Sequence, residues 1–167
     1  MRGIEAVTRL SWAYMANTQQ GISGSWIRSK SAVQTMAGVI DSLKPGGDKL
    51  AKQVGVIANE AMTQYLADAY GSLSSFGKIG RAALRPLTET EIFNRVVSSN
   101  VGKRYITETL VPSFLKNPND LRLVKELKTF LISPQELRSA GQLTAPQLND
   151  AIHMFVRQTQ FAADPLT

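Results

Sequence analysis

The chain has 167 residues, no cysteine and one histidine, which excludes a disulfide framework, a thiolate metal site and a multi-histidine metal cluster. Hydrophobic residues make up 43% and charged residues 19%, values of a chain that folds, and the length fits one helical domain or fragment, 1–167, with a subdivision near residue 85. The formal net charge of +6 is uneven: residues 75–116 carry seven basic and three acidic side chains, whereas 117–167 carry five of each.

The apolar residues Ile4, Val7, Leu10, Tyr14 and Met15 recur at helical steps and predict a first helix from Ile4 to about Gln19. Gly21-Ile22-Ser23-Gly24-Ser25 reads as an interruption, because glycine and serine favour turns and caps. A second helix is expected from Ser25 to Lys44, with Trp26, Ile27, Val33, Met36, Val39, Ile40 and Leu43 as its apolar face and Pro45-Gly46-Gly47 as its stop. Asp48 is the expected N-cap of a third helix reaching about Tyr70, and Ser74 to Leu84 is weakly helical.

Thr88-Glu89-Thr90-Glu91 has the spacing of a capping box, and the stripe Ile92, Phe93, Val96, Val97, Val101, Tyr105, Ile106, Leu110 predicts a long helix that Pro112 ends or kinks. Asn117-Pro118-Asn119-Asp120 predicts a turn, followed by a short helix with Leu121, Val124, Leu127 and Leu131 inward. Ser133-Pro134-Gln135-Glu136 and Thr144-Ala145-Pro146-Gln147 predict two further helix starts. Gly141 is the expected C-terminal cap between them, and Leu148, Ile152, Phe155, Val156 and Phe161 form the last apolar face before Asp164-Pro165. Strand alternation is absent, so the fold class is all-α, an irregular bundle of about six to seven helices.

The residues supply little for catalysis. His153 stands alone on the final helix, and a zinc site needs several ligands at fixed spacing. Glu89 and Glu91 resemble a carboxylate pair, but the capping box already accounts for them, and no other acids are paired in the way glycoside hydrolysis requires. Gly77-Lys78-Ile79-Gly80-Arg81 lacks the spacing of a nucleotide-binding loop, and Ser11, Ser23 and Ser25 lie outside a nucleophile elbow. The expectation is a non-enzyme with no catalytic, cofactor or metal residue and no small-molecule substrate. No stretch approaches the ~20 apolar residues needed to span a bilayer, and the N-terminal residues lack a signal-peptide core, so the chain reads as soluble and unprocessed.

Two sets of residues stand out for binding. Lys78, Arg81, Arg95, Lys103 and Arg104 are the expected contacts for phosphate or DNA in the basic middle segment. Trp12, Trp26, Phe93, Tyr105, Phe155 and Phe161 are the expected packing or interface anchors, since aromatics offer the largest apolar area per residue.

Residues 91–167 carry Ile92-Phe93-Asn94-Arg95, then Val101-Gly102-Lys103-Arg104-Tyr105, then Gly141-Gln142-Leu143-Thr144 before a helix, and finally Phe155-Val156-Arg157-Gln158-Thr159-Gln160-Phe161 running to Asp164-Pro165. In this order they resemble the helical region of the large polyvalent and internal virion (ejection) proteins of tailed bacteriophages. Gly24-Ser25-Trp26-Ile27-Arg28-Ser29 is compatible with the same proteins. The resemblance implies a fragment of a longer polypeptide, packaged in the virion interior and delivered with the genome to the host envelope or cytoplasm. It implies a homo-oligomer or contact with other virion proteins, and it transfers no catalytic residue. The alternatives are a basic helical protein associated with nucleic acid and an amphipathic segment that contacts a membrane without spanning it.

Overall fold

The computed structural model describes residues 21–57 and 90–159, and every regular element among them is helical, as the sequence predicts. The expected helix from Ile4 to Gln19, the segment from Ser74 to Leu84, Thr88 and Glu89 of the capping box, and the tail with Phe161, Asp164 and Pro165 lie outside the described residues.

Helix α1 occupies 21–29, so the expected interruption at Gly21–Ser25 is helical instead. Glycine costs about 1 kcal/mol relative to alanine inside a helix, and tertiary contact offsets this here. Gly21, Ser25 and Ser29, four residues apart, form the buried side, and the Ser25 hydroxyl donates to the Ser98 hydroxyl at 3.1 Å. A β-carbon on Gly24 would stand 2.3 Å from the carbonyl oxygen of Thr159, so this glycine allows two helices to touch through backbone. The break comes later than predicted. Lys30 takes a left-handed φ of 51°, and the Ser31 hydroxyl caps helix α2, Ala32–Leu43, by accepting from the Gln34 N–H at 3.2 Å. The single helix expected over 25–44 is therefore two.

Pro45-Gly46-Gly47 stops α2 as predicted, with Gly46 at φ 78°. Helix α3 is only Lys49–Gln53 and ends before Gly55, at φ 76°. Residues up to 57 are outside this helix, which corrects the expectation of a helix continuing unbroken to Tyr70. Asp48 itself is in the helical region and makes no side-chain cap, because its carboxylate pairs with Lys52 at 2.6 Å.

Helix α4, residues 90–104, is the buried centre. It runs into a π-helical turn, Tyr105–Leu110, and then into helix α5, Val111–Lys116. Pro112 does not end the chain's helical course. Proline lacks an N–H and is tolerated in the first turn of a helix; here the π turn, with Val111 N–H bonded to the Ile106 carbonyl, precedes it and Pro112 stands in the first turn of α5.

The turn at Asn117–Asp120 forms as predicted, and Asp120 caps helix α6, Leu121–Thr129, by accepting from the Arg122 N–H at 2.8 Å. Its inward residues differ at both ends from those expected. Leu121 and Leu131 are 81% and 67% exposed, while Leu127 and Phe130 are fully buried. Leu131 lies past the helix end at a left-handed φ of 60°, which turns it off the helical stripe. Ser133 and Gly141 cap helix α7, Pro134–Ala140, at its two ends as predicted. Thr144 and Gln147 bond reciprocally at the start of helix α8, Ala145–Thr159: the Thr144 N–H donates to the Gln147 side chain at 3.0 Å, and the Gln147 N–H to the Thr144 hydroxyl at 3.4 Å.

The core lies between α4, the π turn and the C-terminal helices. Phe130 and Phe155 stack at 6.0 Å between ring centroids, and Tyr105 meets both at 6.3 and 6.0 Å. Burying each large side chain contributes roughly 1.5–3 kcal/mol. At α2 the packing uses small residues instead. A β-carbon on Gly38 would lie 2.4 Å from Val101 Cγ2 and 2.7 Å from the Val101 backbone nitrogen. Because the obstruction is partly backbone, Gly38→Ala is expected to lower stability by about 1–3 kcal/mol, as overpacking does. Chemical denaturation checks this; an unchanged midpoint would show that α2 does not pack this closely.

Candidate functional site

Among the described residues no group of three His, Cys, Asp or Glu side chains gathers to hold a metal. His153 is half-buried on α8. Glu91 is exposed and pairs with Arg95 one helical turn on, an ordinary surface arrangement. Among these residues no helix is long and apolar enough to cross a membrane.

The residues expected to contact phosphate are divided by the fold. Lys78 and Arg81 lie outside the described residues. Arg95 does not present a bare guanidinium: it pairs with Glu91 and donates to the Val56 carbonyl at 2.7 Å, tying the end of the α3 segment to α4. Arg104 reaches Asp41 at 2.7 Å and Glu108 at 3.0 Å, and so joins α2 to α4 and the π turn. Lys103 beside it is exposed.

The aromatic anchors divide as well. Trp12 and Phe161 are outside the described residues. Of the residues expected as packing or interface anchors, Tyr105 and Phe155 are 6% and 0% exposed and pack in the core with Phe130. Phe93 is partly buried against the core. Trp26 is 57% exposed, although helical spacing favours an inward aromatic.

Trp26 is one of several exposed apolar residues on the first two helices. On α1 it is accompanied by Ile22 and Ile27; on α2 the exposed apolar residues are Val33, Met36, Ile40 and Leu43. The steps 33, 36, 40 and 43 alternate three and four, the seam spacing of paired helices. The opposite side of α2 carries mainly small and polar groups, with Val39 alone of the expected apolar face partly buried against the core. Thr35 and Gly38 are buried, Ser42 bonds to the Gly38 carbonyl and accepts from Asn100, and Gln34 donates to Thr109 at 3.3 Å. Helix α2 thus turns its polar side to the protein and its apolar side out, the reverse of the arrangement expected from its periodicity. Glycine and hydroxyl side chains permit closer approach to α4 than Met or Leu would, and that contact selects the inward side.

Arg28 holds α1 at the other end. Its guanidinium lies 4.5 Å from the Phe130 ring centroid, donates to Gln158 at 2.8 Å and pairs with Glu126 at 3.0 Å. The Glu126 carboxylate also accepts from the Tyr105 hydroxyl at 2.7 Å. Burial, and then this hydrogen bond, pushes the Tyr105 phenol up, so it remains a donor. The clasp unites α1, the π turn, α6 and α8, and it positions the outward face without contributing to it.

Asp41 is the acid that fixes α2 against α4. Its hydrogen bonds from Lys44, first, and from Arg104 hold its carboxyl below the ordinary value of 3.8. A carboxyl depressed on folding stabilises the fold above the unfolded value, and this contribution is lost as pH falls through the folded one. Asp41→Asn is therefore expected to flatten the acid side of the stability profile below about pH 3.8. Denaturation across pH checks this, and an unchanged acid limb would contradict it. No family model, curated protein or solved structure matches the chain.

Proposed function

We propose that the chain is a structural assembly module that acts by self-association, with α2 of one copy covering α2 of another. The observation that carries this reading is the reversal of α2, whose Val33, Met36, Ile40 and Leu43 are each more than half exposed. A second copy fits this face because the seam contains no charge that asks for an opposite one, and because its spacing is self-complementary. Ile22, Trp26 and Ile27 on α1 extend the apolar area toward the about 800 Å² per partner of a specific interface. Covering each such side chain yields roughly 1.5–3 kcal/mol at most, so several must act together against an association cost of about 4–15 kcal/mol.

The resemblance of residues 91–167 to internal virion proteins of tailed phages supports a setting for such a module. In that setting the chain is a helical segment of an ejection protein, carried in the virion interior and delivered with the genome to the host envelope or cytoplasm. Its partners there are further copies or other virion proteins, and it works by docking, not turnover.

Sedimentation equilibrium over a range of concentration tests the assembly step. The wild-type chain is expected to show reversible association, and Ile40→Glu, which places charge in the seam where it costs nothing in the monomer, is expected to weaken association at least tenfold. A wild-type chain that is monomeric at all concentrations, or an Ile40→Glu variant that associates equally well, would overturn the proposal.

A further inference from the structure

A second surface feature is independent of the apolar face. The Pro45-Gly46-Gly47 turn, α3 and the end of α4 enclose an open cleft of about 480 Å³, whose lining includes Lys44, Lys49, Lys103 and Arg104 together with Asp41 and Glu108. Two chain segments distant in sequence thus bring four cations to one concavity against two carboxylates. The carboxylates are both engaged: Asp41 by Lys44 and Arg104, each at 2.7 Å, and Glu108 by Arg104 at 3.0 Å. Lys49 and Lys103 are exposed and pair with no carboxylate among the described residues. The excess positive charge of the cleft therefore rests on two lysine side chains, Lys49 of α3 and Lys103 of α4.

The cleft is held in shape by a polar anchor. The Asn100 amide nitrogen donates to the Gly47 carbonyl at 2.9 Å, the Ser42 hydroxyl at 3.0 Å and the Val96 carbonyl at 3.0 Å, which fixes the turn against α4. Gly47 fits only because it lacks a β-carbon, which would come within 2.5 Å of the Asp41 carbonyl. The lysines consequently project from walls whose backbone is already ordered, and little conformational freedom beyond their own is lost on binding an anion.

We propose that this cleft binds the phosphate backbone of nucleic acid. Several cations gathered in one open cleft suit a polyanion, and each neutralised phosphate releases condensed counterions. No aromatic residue lines the cleft, so it offers no platform for stacking an unpaired base. The expected ligand is a duplex, held through its backbone without regard to sequence.

The test is fluorescence anisotropy of the full chain with a labelled random-sequence DNA duplex between 50 and 200 mM salt. The variant Lys49→Ala/Lys103→Ala is compared with Lys125→Ala/Lys128→Ala, which removes the same charge from α6. Wild type is expected to bind with affinity that falls steeply with salt. The cleft variant is expected to flatten the slope of log K against log salt by about 2, and the α6 variant to leave it nearly unchanged. Equal losses in the two variants would show that net charge alone attracts DNA and would overturn the site, as would absence of binding at 50 mM salt. Full displacement of the duplex by millimolar inorganic phosphate at constant ionic strength would instead mark a site for the single ion and overturn the backbone reading. Equal binding of anionic phosphatidylserine vesicles, lost in the same cleft variant, would also overturn it in favour of a membrane surface. Repeating the titration with Ile40→Glu separates this proposal from self-association: a monomer that still binds DNA through Lys49 and Lys103 keeps the cleft while the assembly reading stands or falls alone.

Discussion

The close contact of α1 with α4 and α8, and of α2 with α4, made through glycine and hydroxyl side chains, decides most of what this protein presents to its surroundings. Gly24 touches the Thr159 carbonyl, Ser25 bonds to Ser98, and Gly38 leaves room for Val101. With these small groups on the inner side, Val39 is the one larger apolar residue of α2 packed against the core, and the others point away. The exposed row Val33, Met36, Ile40 and Leu43 is a geometric consequence of that contact. Surface hydrophobics are ordinary singly; this regular row on one helix is the surface that the proposed self-association would cover.

The C-terminal helices supply the stability that permits this inversion. Phe114, Phe130, Ile152 and Phe155 are fully buried around α4 and the π turn, so the core does not rely on the apolar face of α2. Arg28 then couples α1 to that core through Phe130, Glu126 and Gln158. The division of labour is clear in the aromatics: Tyr105 and Phe155 hold the interior, whereas Trp26 stands outside it. On the neighbouring edge of α2, Asp41 pairs with Arg104, and Asn100 of α4 holds the turn that frames the basic cleft, so α2 lies between an apolar face and a charged one.

Local signals in the sequence proved informative where the physics is local. Ser133, Thr144 and Gly141 cap helices because the orphan N–H and C=O groups of a helix end need a partner within a few residues, and those partners are readable by spacing; Asp48, read the same way, pairs with Lys52 instead. The all-helical class followed from the same periodicity. Orientation was not legible, because the periodicity of α2 defines an apolar side without saying that the protein lies on the other. Gly21–Ser25 misled for a related reason: glycine and serine have one appearance in a turn and in a tight helix contact, and only the position of Asn94, Ser98 and Thr159 distinguishes them. Pro112 was read as an end or kink, and the π turn that precedes it was not foreseen because such a turn has no marker in composition. The cleft was half visible, since Lys103 and Arg104 stood out in the basic segment but Lys44 and Lys49 join them only through folding.

An outward α2 seam covered by a second copy is the central claim, and the absence of native cysteine allows a direct test of it. Met36→Cys and Ile40→Cys chains would be oxidised mildly, each alone and mixed, because a disulfide forms only when the β-carbons approach within about 3.5–4.5 Å. Parallel pairing brings like positions together and antiparallel pairing brings 36 against 40, so one of these samples is predicted to yield a covalent dimer on a denaturing gel. Monomer in all three would contradict the pairing of α2 with its own copy.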